Sequence, residues 1–163
     1  MRKAQEKIVT PENLVALLRG RKQRGQHIVL ANGIFDTLHV GHTRYLAGAK
    51  AEGDILVVAV NSDSSARLLK GPGRPILDEQ ARALLVAAIH TVDYVVIFSE
   101  LNVEKLLEEF RPDVHAKGTD YTAETVPERD EVAACGGRVE IVGDPKDHST
   151  SELIRSRLGR PRS

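Results

Sequence analysis

The chain is poor in cysteine, since Cys135 is the only one among its 163 residues. A single cysteine cannot form a disulfide within the chain, and this fits a reducing compartment. No histidine lies near Cys135 in sequence, and such a partner is what would normally activate a nucleophilic thiol. The sequence therefore predicts an intracellular protein in which Cys135 has no chemical role.

The chain also has no excess of charge of either sign and no long apolar run. Basic and acidic residues number 23 each, so no overall field favours a nucleic acid or a membrane surface. No apolar run reaches the ~18 residues that span a membrane, and residues 1–26 are too polar for a signal peptide. We expect a cytoplasmic protein that binds neither nucleic acid nor membranes, with any anion site built locally.

Two sequence motifs for phosphate binding are absent as well. The chain has no Gly-x-x-x-x-Gly-Lys-Ser/Thr loop and no Gly-x-Gly-x-x-Gly fingerprint. Kinase and dehydrogenase functions therefore lose their main support.

Short apolar runs alternate with helical patterns along the chain. The best runs lack polar alternation, as expected of strands covered on both faces. The predicted strands are residues 27–31, 55–60, 94–98, 114–117 and 139–142. The predicted helices are residues 11–21, 43–51, 78–90, 103–110, 127–135 and 151–158. This alternation predicts an α/β fold with a doubly wound, five-stranded parallel sheet of the Rossmann-like type.

One domain is expected, because a chain of this length buries about two-thirds of its unfolded surface. We predict a helical extension at residues 1–26, the main domain at 27–158 and a short tail at 159–163. The run Lys-Gly-Pro-Gly-Arg-Pro at residues 70–75 predicts a mobile basic loop inside the domain.

His39 and His42 stand three residues apart where a predicted strand runs into a helix. The carboxyl end of a strand and the start of a helix together favour phosphate binding. Gly41 lets the backbone approach closely, and two imidazoles there would stabilise charge growing on a phosphorus centre. Two alternatives remain open: one histidine caps the helix while the other packs in the core, or both join Asp36 in a metal site. Of the remaining histidines, His90 and His115 are interpreted as structural and His148 as outside any motif.

Residues 33–42 resemble the HxGH signature of the cytidylyltransferase-like nucleotidyltransferases. The resemblance extends over about residues 27–158 and is strongest to the adenylyltransferase domain of bacterial ADP-heptose synthases, in a stand-alone form without the sugar kinase domain. It is carried further by Asn61-Ser62-Asp63, Leu69-Lys70-Gly71, Arg74-Pro75, Val92-Asp93-Tyr94-Val95-Val96, Lys117-Gly118-Thr119-Asp120-Tyr121 and Ser149-Thr150-Ser151. Thr119 departs from the family pattern, which usually has glycine there.

The resemblance implies a set of catalytic residues. His39 and His42 would bind the nucleotide phosphates and stabilise the transition state. Lys70 would meet the triphosphate or the sugar phosphate, and Arg82 a phosphate of either substrate, although each could instead be a solvated surface cation. Arg74 has a similar, less supported case.

The resemblance also implies a nucleotide site. Its residues are Asn32, Gly33, Ile34, Phe35, Asp36, Gly41, Lys117, Gly118, Asp120, Ser149, Thr150 and Ser151. Asp36 would either accept hydrogen bonds from turn amides or share in binding Mg²⁺ or substrate. The hydroxyls at 149–151 would cradle the triphosphate, or simply cap the last helix. No residue is assigned as a resident metal ligand.

The implied reaction is transfer of AMP from ATP, with Mg²⁺, to a sugar 1-phosphate, namely D-glycero-β-D-manno-heptose 1-phosphate. The products are ADP-heptose and pyrophosphate, and the resemblance implies a homodimer. Two other functions stay open: a CTP-dependent enzyme acting on glycerol 3-phosphate or a similar polyol phosphate, and a non-enzymatic nucleotide-binding regulator.

Overall fold

Parallel strands form a single sheet in the computed structural model, which describes residues 1–145. Across those residues the strands are β1 Ile28–Gly33, β2 Ile55–Asn61, β3 Tyr94–Phe98, β4 Val114–Lys117 and β5 Arg138–Ile141. Their order in the sheet is β3-β2-β1-β4-β5, with every neighbouring pair parallel. The predicted doubly wound α/β fold is confirmed.

Helices cover both faces of the sheet. In the described residues they are α1 Ala4–Lys7, α2 Pro11–Gln23, α3 Val40–Ala51, α4 Asp63–Lys70, α5 Glu79–Ala88, α6 Glu104–Phe110 and α7 Arg129–Ala134. The sequence did not predict α1 or α4. In α4 the buried residues are Ser65 and Ala66, whereas Leu68 is 75% exposed, so its apolar pattern does not mark its inner face. The helix predicted at 151–158 lies outside the described residues.

Alternate residues of β1 supply the two halves of the core. Val29 and Ala31 belong to the cluster that includes residues of α3 and α5, and Ile28 and Leu30 to the one that includes α2, α6 and α7. All seven residues of β2 are buried, which explains why this run shows no polar alternation. Because successive side chains of a strand point to opposite faces of the sheet, the two clusters lie on its two faces.

The helix α2 packs on the sheet through Leu14 and Leu18, which are 0% and 2% exposed. The proposed boundaries at residues 26, 158 and 159 stay predictions. Among residues 1–145, no helix is both long and apolar enough to cross a membrane.

The chain changes direction across the sheet between β1 and β4. From β1 it proceeds to β2 and β3 on one side, and then returns to β4 and β5 on the other. At such a switch point the loops leaving the two adjacent strands diverge, which opens a crevice at their carboxyl ends. Asn32 and Gly33 lie at that end of β1, and Lys117 ends β4.

Close backbone approach at Gly137 predicts a sharp steric effect just before β5. A Cβ on Gly137 would lie 2.4 Å from the carbonyl oxygen of Pro112, and backbone cannot yield easily. We expect Gly137→Ala to lower the free energy of unfolding by about 1–3 kcal/mol. Gly20→Ala is the control, because a Cβ there meets nothing within 4 Å inside α2, and it should raise stability by about 0.5–1 kcal/mol. Urea unfolding of both variants measures the difference, and equal effects would contradict the packing argument.

Candidate active site

The start of α3 is capped by two imidazole rings. His39 is the N-cap residue, and its Nδ1 accepts a hydrogen bond from the Gly41 N–H at 3.1 Å. The Nδ1 of His42 accepts in turn from the His39 N–H at 3.3 Å. These reciprocal bonds are those of a capping box, which requires the spacing of three residues. The backbone between strand and helix therefore fixes both rings.

This capping determines where each ring carries its proton. A nitrogen that accepts a hydrogen bond has no proton of its own, so each neutral ring is protonated at Nε2. Burial, and secondarily the proximity of His39, lower the pKa of His42 from 6.5 to about 4. His42 is therefore neutral near pH 7 and has an Nε2–H to donate.

A cavity of about 380 Å³ lies beside these rings, at the carboxyl ends of β1 and β4. The predicted site residues that line it are Asn32, Gly33, Ile34, Phe35, His39, Gly41, His42, Lys70, Lys117, Gly118 and Asp120. The structure thus brings both histidines and two lysines to one cavity. The alternative had one histidine capping the helix and the other packed in the core. Both rings in fact cap the helix, and both also line the cavity. Ser149, Thr150 and Ser151 lie outside the described residues.

Lys70 reaches the cavity from the end of α4, whereas the sequence predicted it in a loop. The loop begins after it, with Gly71 and Gly73 at φ angles of 90° and 82°, a region that favours glycine. Mobility of this loop stays a prediction. At its far end, Arg74 is paired with Asp36.

Asp36 is not among the cavity-lining residues. Its carboxylate accepts hydrogen bonds from the Arg74 guanidinium at 2.7 Å and from the amides of Ile76 and Leu77 at 2.7 and 3.2 Å. Burial alone would raise the pKa of Asp36, but these hydrogen bonds and the charge of Arg74 lower it below its usual value. Asp36 therefore binds backbone amides, as one of its two predicted roles has it, but these amides belong to the loop before α5 and not to the turn of Asp36 itself.

The alternative in which His39 and His42 join Asp36 in a metal site is not supported. Within residues 1–145, no three His, Cys, Asp or Glu side chains come together to hold a metal ion. The Nδ1 atoms of both rings, moreover, are engaged by the backbone.

Arg82 lies beneath the site rather than in it, and its side chain is 0% exposed. Its Nε donates to the Leu77 carbonyl at 2.9 Å, and its Nη1 to the Ile34 and Asn61 carbonyls at 2.7 Å each. Its Nη2 pairs with Asp63 at 2.8 Å. With four hydrogen bonds already made inside the protein, the guanidinium does not reach a phosphate in this arrangement, contrary to the sequence-based expectation for Arg82.

Lys117 also lines the cavity and is 7% exposed. Its Nζ lies 3.3 Å from Asn32 Oδ1, 3.6 Å from Glu128 Oε2 and 4.9 Å from the centre of the Tyr121 ring. Burial lowers the pKa of Lys117, while the Glu128 carboxylate opposes that shift. The Nε2 of His115 lies 3.1 Å from the same Asn32 oxygen, so two side chains orient Asn32.

Sequence reasoning missed part of the cavity wall. Arg44 and Tyr45 line it from α3, and residues 142–145 line it after β5. Arg44 pairs with Asp144 at 3.0 Å, which joins these two segments. The carboxyl end of β5 falls on the same sheet edge as the other motifs, and this position was the available signal.

A crevice lined by two imidazoles and two lysines at a topological switch point is typical of α/β enzymes that bind phosphates. A family model described as cytidylyltransferase-like matches residues 30–156. The chain therefore belongs to the cytidylyltransferase-like family and is a nucleotidyltransferase, which confirms the resemblance of the HxGH motif.

Similar proteins agree with this assignment. The bifunctional protein HldE of Syntrophotalea carbinolica is 46% identical over 154 residues, which cover 94% of this chain and 31% of that protein. HldE of Geobacter metallireducens is 47% identical over 148 residues, 91% of this chain and 30% of the relative. A lipopolysaccharide core biosynthesis protein from Thermoplasma volcanium is 35% identical with a TM-score of 0.64, covering 76% of this chain and all of its own. The chain thus spans about a third of the length of these HldE relatives.

Acidification should weaken the fold through its buried imidazoles. The pKa of His42 falls to about 4, and burial together with the Lys117 charge lowers that of His115 to about 3. The unfolded chain takes up these protons near pH 6.5, so stability is complete above that pH and decreases as the pH drops toward the folded pKa values. Urea unfolding between about pH 7.5 and pH 4.5 measures the slope of the free energy of unfolding against pH.

Two variants test the origin of that slope. His42→Gln keeps a side-chain acceptor for the His39 N–H but does not titrate, and it should reduce the slope. His27→Gln is the control because it removes an imidazole that is 68% exposed. A slope that is identical in His42→Gln and the parent chain would contradict this account.

Proposed function

We propose that the protein transfers AMP from ATP to D-glycero-β-D-manno-heptose 1-phosphate, forming ADP-heptose and pyrophosphate. The observation that carries the proposal is the convergence of His39, His42, Lys70 and Lys117 on one cavity at the switch point. The similarity to HldE proteins and to a lipopolysaccharide core biosynthesis protein supports the choice of a heptose phosphate for the synthesis of cell-envelope glycans.

The proposed chemistry is an in-line displacement. An oxygen of the sugar phosphate attacks the α-phosphorus, and a new P–O bond forms while the bond from the α-phosphorus to the β-phosphate oxygen breaks. Pyrophosphate leaves with that electron pair. The attacking oxygen is already ionised, so no general base is needed. The Nε2–H groups of His39 and His42, with Lys70, offset the charge on the equatorial oxygens.

Mg²⁺ belongs to the proposal as a companion of the triphosphate. Mg²⁺ commonly takes its ligands from substrate phosphates and water with only one or two carboxylates. In the described residues no carboxylate cluster offers it a site of its own, and Asp36 is engaged by Arg74 and two amides. Residues 1–145 thus offer cations for the phosphates and no cluster of three metal-binding side chains. Cytoplasmic location and the homodimer likewise remain proposals.

Replacement of His42 tests the phosphate role. We expect His42→Ala to lower turnover by about 10²–10³-fold, the scale for loss of one preorganised donor. Because Nδ1 also caps α3, the variant should lose about 1 kcal/mol of stability. Thr43→Ala, in the same helical turn, removes a hydroxyl that bonds only the His39 carbonyl and controls for disturbance of the helix start. Steady-state pyrophosphate release measures both, and unchanged turnover in His42→Ala would remove His42 from the mechanism.

Nucleotide choice separates this proposal from the CTP-dependent alternative. The phosphates are common to both nucleotides, so discrimination depends on contacts to the base edge. We expect kcat/KM with ATP and heptose 1-phosphate to exceed that with CTP and glycerol 3-phosphate by at least ~10-fold, which requires only ~1.4 kcal/mol. Pyrophosphate release with each nucleoside triphosphate against sugar and polyol phosphates decides it. The reverse preference would refute the heptose proposal, and no release with any pair would favour the nucleotide-binding regulator.

A further inference from the structure

Arg82 is buried, and its planar guanidinium joins the ends of two neighbouring strands. It bonds the carbonyl of Ile34, which directly follows β1, and that of Asn61, which ends β2. It also holds Asp63, the first residue of the helix that carries Lys70. A rigid fork suits such simultaneous contacts, which a flexible ammonium group cannot reproduce.

The residue that follows Ile34 has an unusual backbone. Phe35 has φ of 51°, in the left-handed region, which costs a bulky residue on the order of 1–3 kcal/mol and persists only where the surroundings enforce it. Arg82 fixes the peptide plane on one side of Phe35 through the Ile34 carbonyl. On the other side, Asp36 is tied to Arg74 and to two amides. Phe35 is thus held in its strained conformation from both ends.

This conformation places the Phe35 ring beside the catalytic histidine. The ring centres of Phe35 and His42 lie 5.4 Å apart with the planes tilted by 58°. The ring also fills the space next to Gly33, where an added Cβ would lie 3.0 Å from its Cε2. Phe35 itself is 4% exposed. Together with the backbone bond to Nδ1, the ring restrains the orientation of the His42 imidazole.

We infer that Arg82 and Phe35 are positioning residues for the transfer step, because Arg82 holds the peptide that aims the Phe35 ring at His42. The inference rests on the proposed function for its kinetic consequence, but its structural part does not. A displacement of about 1 Å in a reacting group can cost about 10²-fold in rate, so restraint of His42 has a direct effect on turnover.

Two substitutions test the inference in the full chain. Arg82→Lys keeps the charge but cannot reach every carbonyl, and Phe35→Leu keeps an apolar side chain without the ring. Each should lower kcat by about 10–100-fold, because positioning acts on the transition state, and in Arg82→Lys, whose residue does not line the cavity, KM for ATP should stay within about 2-fold. Leu107→Ala is the control for loss of stability, since Leu107 is fully buried in the cluster on the other face, and its kcat should be unchanged.

A second readout needs no substrate. The midpoint of His42 protonation, followed by NMR of the imidazole, should lie near 4 in the parent chain and move toward 6.5 in both variants as the ring loses its packing. It should not move in Leu107→Ala. A merely structural role for Arg82 would lower stability without moving this midpoint.

The outcomes separate the two proposals. A shifted His42 midpoint in a chain that transfers no AMP would refute the proposed function and support the positioning role. Normal transfer with an unshifted midpoint in Phe35→Leu, or a kcat loss no larger than in Leu107→Ala, would overturn the inference. If Arg82→Lys fails to fold, the same measurements on Phe35→Leu decide the case.

Discussion

The structure of the site depends on how the first N–H groups of α3 are satisfied. Helix starts leave N–H groups without helical partners, and here imidazole nitrogens accept hydrogen bonds at this point. Because Nδ1 of each ring accepts a backbone hydrogen bond, a neutral ring carries its proton at Nε2. The same two side chains, His39 and His42, therefore meet a structural requirement and would also serve the catalytic role that we propose.

The two lysines that line the same cavity, Lys70 and Lys117, are held by different contacts. Lys70 sits at the end of a helix whose first residue is fixed by Arg82, so its placement is governed by a buried guanidinium. Lys117 is itself buried and has Asn32 and Glu128 as neighbours. A buried ammonium group is costly unless it is paired, and these contacts offset that cost while keeping it at the cavity wall.

The sequence predicted the parts of this protein that depend on periodicity and local motifs. The apolar runs predicted the strands to within one or two residues, and the strand-to-helix junction placed His39 and His42. The helix α4 could not be predicted, because its inner face is Ser65 and Ala66 while its leucines are exposed.

Long-range contacts explain the other differences. Arg82 looks like a surface arginine on an amphipathic helix, and only its distant carbonyl partners show that it is buried. The role of Asp36 likewise depends on amides about 40 residues away. The contributions of Arg44 and residues 142–145 depend on which loops the fold brings to one edge. No local pattern encodes such contacts.

The contact between Gly33 and Phe35 has a consequence for how this sequence can diverge. The Phe35 ring lies where a side chain at position 33 would be, because a Cβ there would come within 3.0 Å of its Cε2 atom. A side chain at 33 requires the Phe35 ring to shift or to be replaced by a smaller group, and either change alters its contact with His42. Substitutions at positions 33 and 35 should therefore be coupled, because a larger residue at 33 is accommodated best when the side chain at 35 is smaller.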